Sequence, residues 1–250
     1  MQINRRTLLA AGAGLVSGAS LPAWAQLRIE ITGVGANQMP IAIPQFQGTN
    51  NAPLDLSTVV TADLERSGSF RALKVMGELP AEDIEKPRAK FWRTMGATAL
   101  VMGTIEKLPD TRYRVNYRLF GTVEDKVIDE KQFVVSSGDL RLTAHRIADA
   151  VYERLTGESG IFASRLAYVL QRGPASYELV VSDSDGANPQ TALKSNQSII
   201  SPMWSPNGLL LTYVSFEANK PVIYLHDVRS GERRLIASFK GNNSAPAFSP

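Results

Sequence analysis

Two stretches of this chain, ISPMWSPNG at residues 200–208 and SAPAFSP at residues 244–250, repeat one pattern at an offset of 44 residues. Pro202 answers to Pro246, Trp204 to Phe248, Ser205-Pro206 to Ser249-Pro250, and at the same offset Asp183 answers to Asp227. A repeat of this length holds about four short strands with their turns, which is what one β-propeller blade requires. The intervening segments have that character. IFASRLAYVL, YELVVSD, SIISPMW, LLLTYVSF, PVIYLHD and RRLIASF read as strands, separated by turn signals at Asp185-Gly186, Asn207-Gly208 and Ser230-Gly231. Residues 161–250 are therefore expected to form an incomplete β-propeller, about one complete blade and most of another. Repeat units hide their faces only against neighbours, so the part after Ser159 is expected to be poorly stable alone.

Upstream of Ile161 the periodicity is different. LRIEITGV alternates Leu27, Ile29 and Ile31 on one face, as a half-buried strand does, and PIAIPQF follows as a shorter strand. LDLSTVVTADLERSG places Leu56, Val59, Val60 and Leu64 at helical spacing, with Asp55 as cap and Gly68 as stop. EDIEKPRAKFWRTMG predicts a second helix resuming after Pro87, with Phe91, Trp92 and Met95 inward. TALVMGTIEKL, YRVNYRLFGTV and KVIDEKQFVV read as consecutive strands, the last two joined through Glu124 and Asp125. GDLRLTAHRIADAVYERLTG makes a long helix, with Leu140, Ala144, Ile147, Ala148, Val151 and Leu155 on one side and Gly157 as terminator. The fold class expected is a two-domain α+β/all-β chain: residues 26–160 an α/β domain with helices on a mixed sheet, then propeller blades.

The first 25 residues belong to neither. Arg5 and Arg6 form a charged start, an apolar run rich in Ala and Gly follows, and Ala23-Trp24-Ala25 is a cleavage signal, so cleavage is expected between Ala25 and Gln26. The Arg5-Arg6-Thr7-Leu8-Leu9 order resembles a twin-arginine signal, and ordinary secretory export fits the same stretch. Removing Arg5 and Arg6 leaves 25 basic residues against 24 acidic, so the net charge of +3 drops to +1. That balance, without a clustered basic face, argues against a nucleic-acid partner. The chain has no Cys, which excludes thiol chemistry and Cys-ligated metal. No long apolar run follows the leader, so no transmembrane segment is expected in the mature chain, and the compartment expected is a bacterial periplasm.

Chemistry-bearing residues are few. There is no G-x-S-x-G elbow, and only His145 and His226 can serve as imidazole bases or ligands. His145 sits at the edge of an apolar helical stripe, where a hydrogen-bonded packing role is expected; His226 ends a blade strand, where a hydrogen bond within the blade is expected. Asp183-Ser184-Asp185-Gly186 opens like a calcium loop but lacks the remaining ligands, so it reads as a D-G hairpin turn. Gly33-Val34-Gly35 lacks the third glycine of a dinucleotide fingerprint. No catalytic set, metal set or cofactor is expected.

Several stretches together resemble the TolB family of the bacterial Tol-Pal envelope system: PIAIPQF, TADLERSGSF, FWRTMGATALVMGTI, YRVNYRLF, AHRIADAVYERLTGESGIFASRLAYV, and blade signatures of the form D-x-D-G followed by P-x-W-S-P-N-G. The resemblance implies an α/β domain before a six-bladed propeller, so the repeat that stops at Pro250 is expected to reflect C-terminal truncation. It also implies a non-enzymatic adaptor between the inner-membrane partner TolA and the outer-membrane lipoprotein Pal, active in envelope integrity and in constriction at division, with contacts to other outer-membrane proteins allowed. The family's TolA-contacting segment corresponds to Gln26, Leu27, Arg28, Ile29, Glu30, Ile31 and Thr32, within a mobile stretch expected over residues 26–37. Such a segment can pair as an added strand, with Leu27, Ile29 and Ile31 as anchors and Arg28 and Glu30 setting register; an ordinary first strand of the sheet fits the same pattern. The propeller gate of a peptidase, with its catalytic domain beyond Pro250, and a solute-binding propeller stand as alternatives.

Overall fold

The computed structural model describes residues 38–249. The expected leader with its cleavage position at Ala25-Gln26, residues 26–32 and Gly33-Val34-Gly35 lie outside them. Five strands, β1 (Met39–Ala42), β2 (Phe70–Leu73), β3 (Ala99–Lys107), β4 (Tyr113–Gly121) and β5 (Lys126–Val135), form one mixed sheet in the order β2-β1-β3-β4-β5. β1 runs parallel to β2 and β3, while β3, β4 and β5 are antiparallel. Parallel neighbours need crossover connections. Here α1 (Leu56–Arg66) links β1 to β2, and α2 (Ala81–Glu85) with α3 (Ala89–Thr94) links β2 to β3; α4 (Leu140–Thr156) follows β5.

The helices begin and end where local chemistry dictates. Asp55 accepts the Ser57 amide at 3.0 Å and caps α1, and Gly68 leaves it at φ 77°. Leu56, Val59, Val60 and Leu64 are buried, as their spacing predicts. α4 likewise buries Leu140, Ala144, Ile147, Ala148 and Val151, packs Leu155 at the margin, and stops at Gly157 with φ 79°. Both helices cover one face of the sheet, meeting Ala99 and Val101 of β3, Tyr117 and Leu119 of β4, and Phe46. Leu100, Met102 and Phe120 point to the other face, against Trp92. A strand covered on both faces reads as an unbroken apolar run, and that is why β3 begins Ala-Leu-Val-Met. At Gly103 on β3 there is no room for a side chain, because a Cβ would fall 2.3 Å from the Phe46 ring.

Two expectations need correction here. The stretch around Pro87 forms two short helices, and only Trp92 is inward; Phe91 and Met95 are 46% and 50% exposed. A six-residue helix offers one narrow buried face, and Phe91 lies a full helical step off it. β2 is an element the hydrophobic pattern does not announce, since only Phe70 of its four residues is buried.

From Arg165 onward the chain is antiparallel sheet. β6 (Arg165–Gly173), β7 (Ser176–Asp183) and β8 (Gln190–Ser195) form a three-stranded sheet; β9 (Ile199–Trp204), β10 (Leu210–Ser215), β11 (Val222–Asp227) and β12 (Arg233–Ala237) form a four-stranded one. The 44-residue offset carries β6, β7 and β8 onto β10, β11 and β12, and Asp183 and Asp227 end matching strands. Leu179 and Val181 of one sheet pack with Ile199, Leu211 and Tyr213 of the other, with Trp204 at the margin. Trp204 thus plays the expected role between blades, whereas Phe248 is half-buried and joins none of the apolar clusters among the described residues. β8 went unforeseen because only its Ser195 is buried. No helix among the described residues is long and apolar enough to cross a membrane.

Candidate functional site at the junction of sheet domain and blades

The passage from α4 to β6 is pinned by groups from both sides. Asp149 on α4 turns its carboxylate onto the chain, where the amides of Phe162 and Ala163 donate to it at 2.6 and 3.0 Å. Gly160 lies against the same residue, with room for no Cβ: one would stand 2.6 Å from the Asp149 Cα. These bonds carry Phe162 back into the α/β core, where its ring meets Tyr152 edge-on at 5.7 Å. Ile161 remains 74% exposed. The first apolar residue of the blade region to be buried therefore serves the preceding domain.

One turn further up α4, polar groups from three elements converge. Asp63 of α1 is fully buried, bonded to Arg66 at 2.9 Å and to the Nδ1 of His145 at 2.5 Å. His145 is itself buried, so the packing role expected for it is observed, but its Nε2 has no protein partner among the described residues. Arg141, one turn before it, donates to Asp185 and sits 3.4 Å from the Asp183 carboxylate. Asp183 ends β7 and Asp185 lies in the turn that joins it to β8, closed by Gly186 at φ 83° and by the Gly186 amide donating to the Asp183 carbonyl at 2.9 Å. This is the D-G turn expected of the sequence. Asn188 donates to Asp183 at 2.8 Å. Burial works to raise the Asp185 carboxyl; the Ala187 amide and the Arg141 guanidinium outweigh it and hold the group below the ordinary carboxylate range. Beside this cluster opens a polar cleft of about 830 Å³, to which His145, Arg146, Arg165, Asp183, Asn207 and Arg229 contribute.

His226 departs from its expectation. It is buried at the end of β11 beside the Tyr213 ring, at 6.2 Å between centroids, and its Nδ1 has no protein partner among the described residues. Burial first, and then the Arg233 charge, push its imidazole below the usual value. The two histidines stand in separate regions, one on α4 and one on β11. Sequence reasoning missed Asp63, Arg141 and Asp149. A signal existed for the first: Asp63 occupies the inward stripe of α1, seven residues after Leu56, and a carboxylate there demands a buried partner.

The architecture defines a class, an α/β domain with a mixed sheet followed directly by β-propeller blades. Comparison with known proteins makes it particular. The model of the TolB amino-terminal domain matches residues 27–128, and that of the TolB beta propeller domain matches residues 152–250. The chain belongs to the TolB family. It is 49% identical over 243 residues to the Tol-Pal system protein TolB of Polaromonas sp., covering 97% of this chain and 56% of that protein. It is 48% identical over 224 residues to the Bordetella pertussis protein of the same name, covering 90% and 51%. The crystal structure of TolB from Acinetobacter baumannii superposes with a TM-score of 0.75 at 37% identity, over 85% of this chain and 53% of that one. The chain spans about half the length of the curated relatives it matches.

Proposed function

We propose that this chain acts as a non-catalytic periplasmic adaptor of the Tol-Pal system, linking TolA at the inner membrane to the lipoprotein Pal at the outer membrane. The observation that supports this reading is the succession of both TolB domain types along one chain at 49% identity to a Tol-Pal system protein. In this role the protein maintains envelope integrity and outer-membrane constriction during division. Residues 26–32 recognise TolA by strand addition: backbone groups supply the hydrogen bonds, Leu27, Ile29 and Ile31 fill alternate pockets, and Arg28 and Glu30 set register. Residues 26–160 and 161–250 act as the two working domains, with the Asp149 and Arg141 contacts between α4 and the chain beyond it carrying any influence of one upon the other. Exchange of residues 26–37 between docked and released states lets one partner control the other's access.

The test is deletion of residues 26–32 from the full-length protein, followed by pull-down with the periplasmic part of TolA and with Pal. Loss of TolA with retention of Pal and of the circular dichroism spectrum is the expected outcome. Undiminished TolA capture by the deleted protein contradicts the assignment of the segment.

A further inference from the structure

The cluster beside α4 brings together three groups of the kind that hold a metal ion. A ring nitrogen of His145 and one carboxylate oxygen from each of Asp183 and Asp185 all lie within 4.8 Å of one another. The Asp63 carboxylate engages Nδ1 at 2.5 Å, which leaves Nε2 as the ring nitrogen not committed to that bond. That nitrogen is enclosed by protein, since His145 is only 1% exposed, and it has no protein partner among the described residues. A carboxylate behind the histidine, orienting the ring and raising its basicity, is the habitual support of a metal-binding imidazole.

Charge points the same way. Asp183 and Asp185 bring two negative charges, and Arg141 is the one cation in ion-pair contact with either among the described residues. Asp63 is already balanced by Arg66. Two carboxylates beside an imidazole nitrogen suit a small divalent cation, and the mixed nitrogen and oxygen donors favour a zinc-type ion over calcium, which takes oxygen alone.

We propose that His145, Asp183 and Asp185 form a zinc-type divalent cation site that fastens α4 to the β7–β8 turn, with Arg141 as its built-in competitor. Binding draws the two aspartates, one at the end of β7 and one in the turn after it, inward until each donor stands about 2.0–2.2 Å from the ion. Arg141, a quarter exposed, swings into the adjoining polar cleft, and water completes the coordination. The ion thereby couples the α/β domain to the first blade sheet, independently of any partner protein.

The experiment is calorimetric titration of zinc chloride into the chelator-treated full-length protein, beside the variants D183N, D185N, H145Q and R141A. One ion per chain is expected, with affinity lowered at least about tenfold by D183N and by D185N. R141A tightens binding, because it removes the competing cation while keeping every donor. D183N keeps the test open should H145Q fold poorly, since Asp183 is partly exposed and its loss leaves the buried Asp63 pair intact. X-ray absorption at the zinc edge is expected to show one nitrogen with oxygens otherwise, and zinc to raise the melting temperature of the wild type but not of D183N. The proposal is overturned if no one-site binding is found, or if D183N and R141A bind zinc as the wild type does.

Discussion

At the scale of single residues, Asp149 bears more than its position suggests. In the sequence nothing local marks it as the acceptor of two amides thirteen and fourteen positions on. Hydrogen bonds to a charged group contribute about 1.5–3 kcal/mol each, so D149A is expected to lower stability by about 2 kcal/mol or more, measured as a shift of the denaturation midpoint of the full-length protein. D149N, which retains an acceptor oxygen, is expected to lose less. G160A should destabilise for the complementary reason, since its methyl group would meet the Asp149 backbone. His226 gives a pH-dependent prediction. Its folded value lies below the ordinary 6.5, so the unfolded chain binds the proton more readily. The stability it contributes is complete above about pH 6.5 and is lost as pH falls through the folded value. Acidification should therefore lower the denaturation midpoint of the wild type more steeply than that of H226Q; parallel curves would contradict the shift.

At the scale of elements, what the sequence discloses depends on how much of each element is buried. α1, α4 and β4 were legible because burial imposes a period on them, and β3 because burial on both faces makes it a continuous apolar run. β2 and β8 were not, because a strand with one buried residue carries almost no period; they form by pairing with β1 and β7. Phe91 and Met95 misled for the opposite reason, large apolar side chains on a helix too short to bury them. The cap of α1 was readable from a single residue. Asp55 accepts from the Ser57 amide, from the Ser57 and Thr58 hydroxyls and from Gln45, so D55A is expected to cost about 1–2 kcal/mol, with loss of helicity by circular dichroism confined to a few residues. A variant as stable as the wild type would remove the cap from the account.

At the scale of the whole molecule, the 44-residue repeat announced the blades because stacking sheets must reuse one turn and one apolar pattern at each step. The junction stayed hidden. Asp63, Arg141, His145, Asp183 and Asp185 come from α1, α4 and the β7–β8 turn, and no local period relates residues so far apart along the chain. Residues 26–32, on which the proposed recognition of TolA rests, were legible only as a strand-like alternation, and that alternation suits an ordinary first strand as well as pairing with a partner. What separates an adaptor from an isolated two-domain protein is simultaneous competence for two partners. The most direct measurement is calorimetric titration of the full-length protein with the periplasmic part of TolA and, separately, with Pal. Binding of each at one per chain is the result the account predicts, and a folded protein that fails to bind either of the two contradicts it.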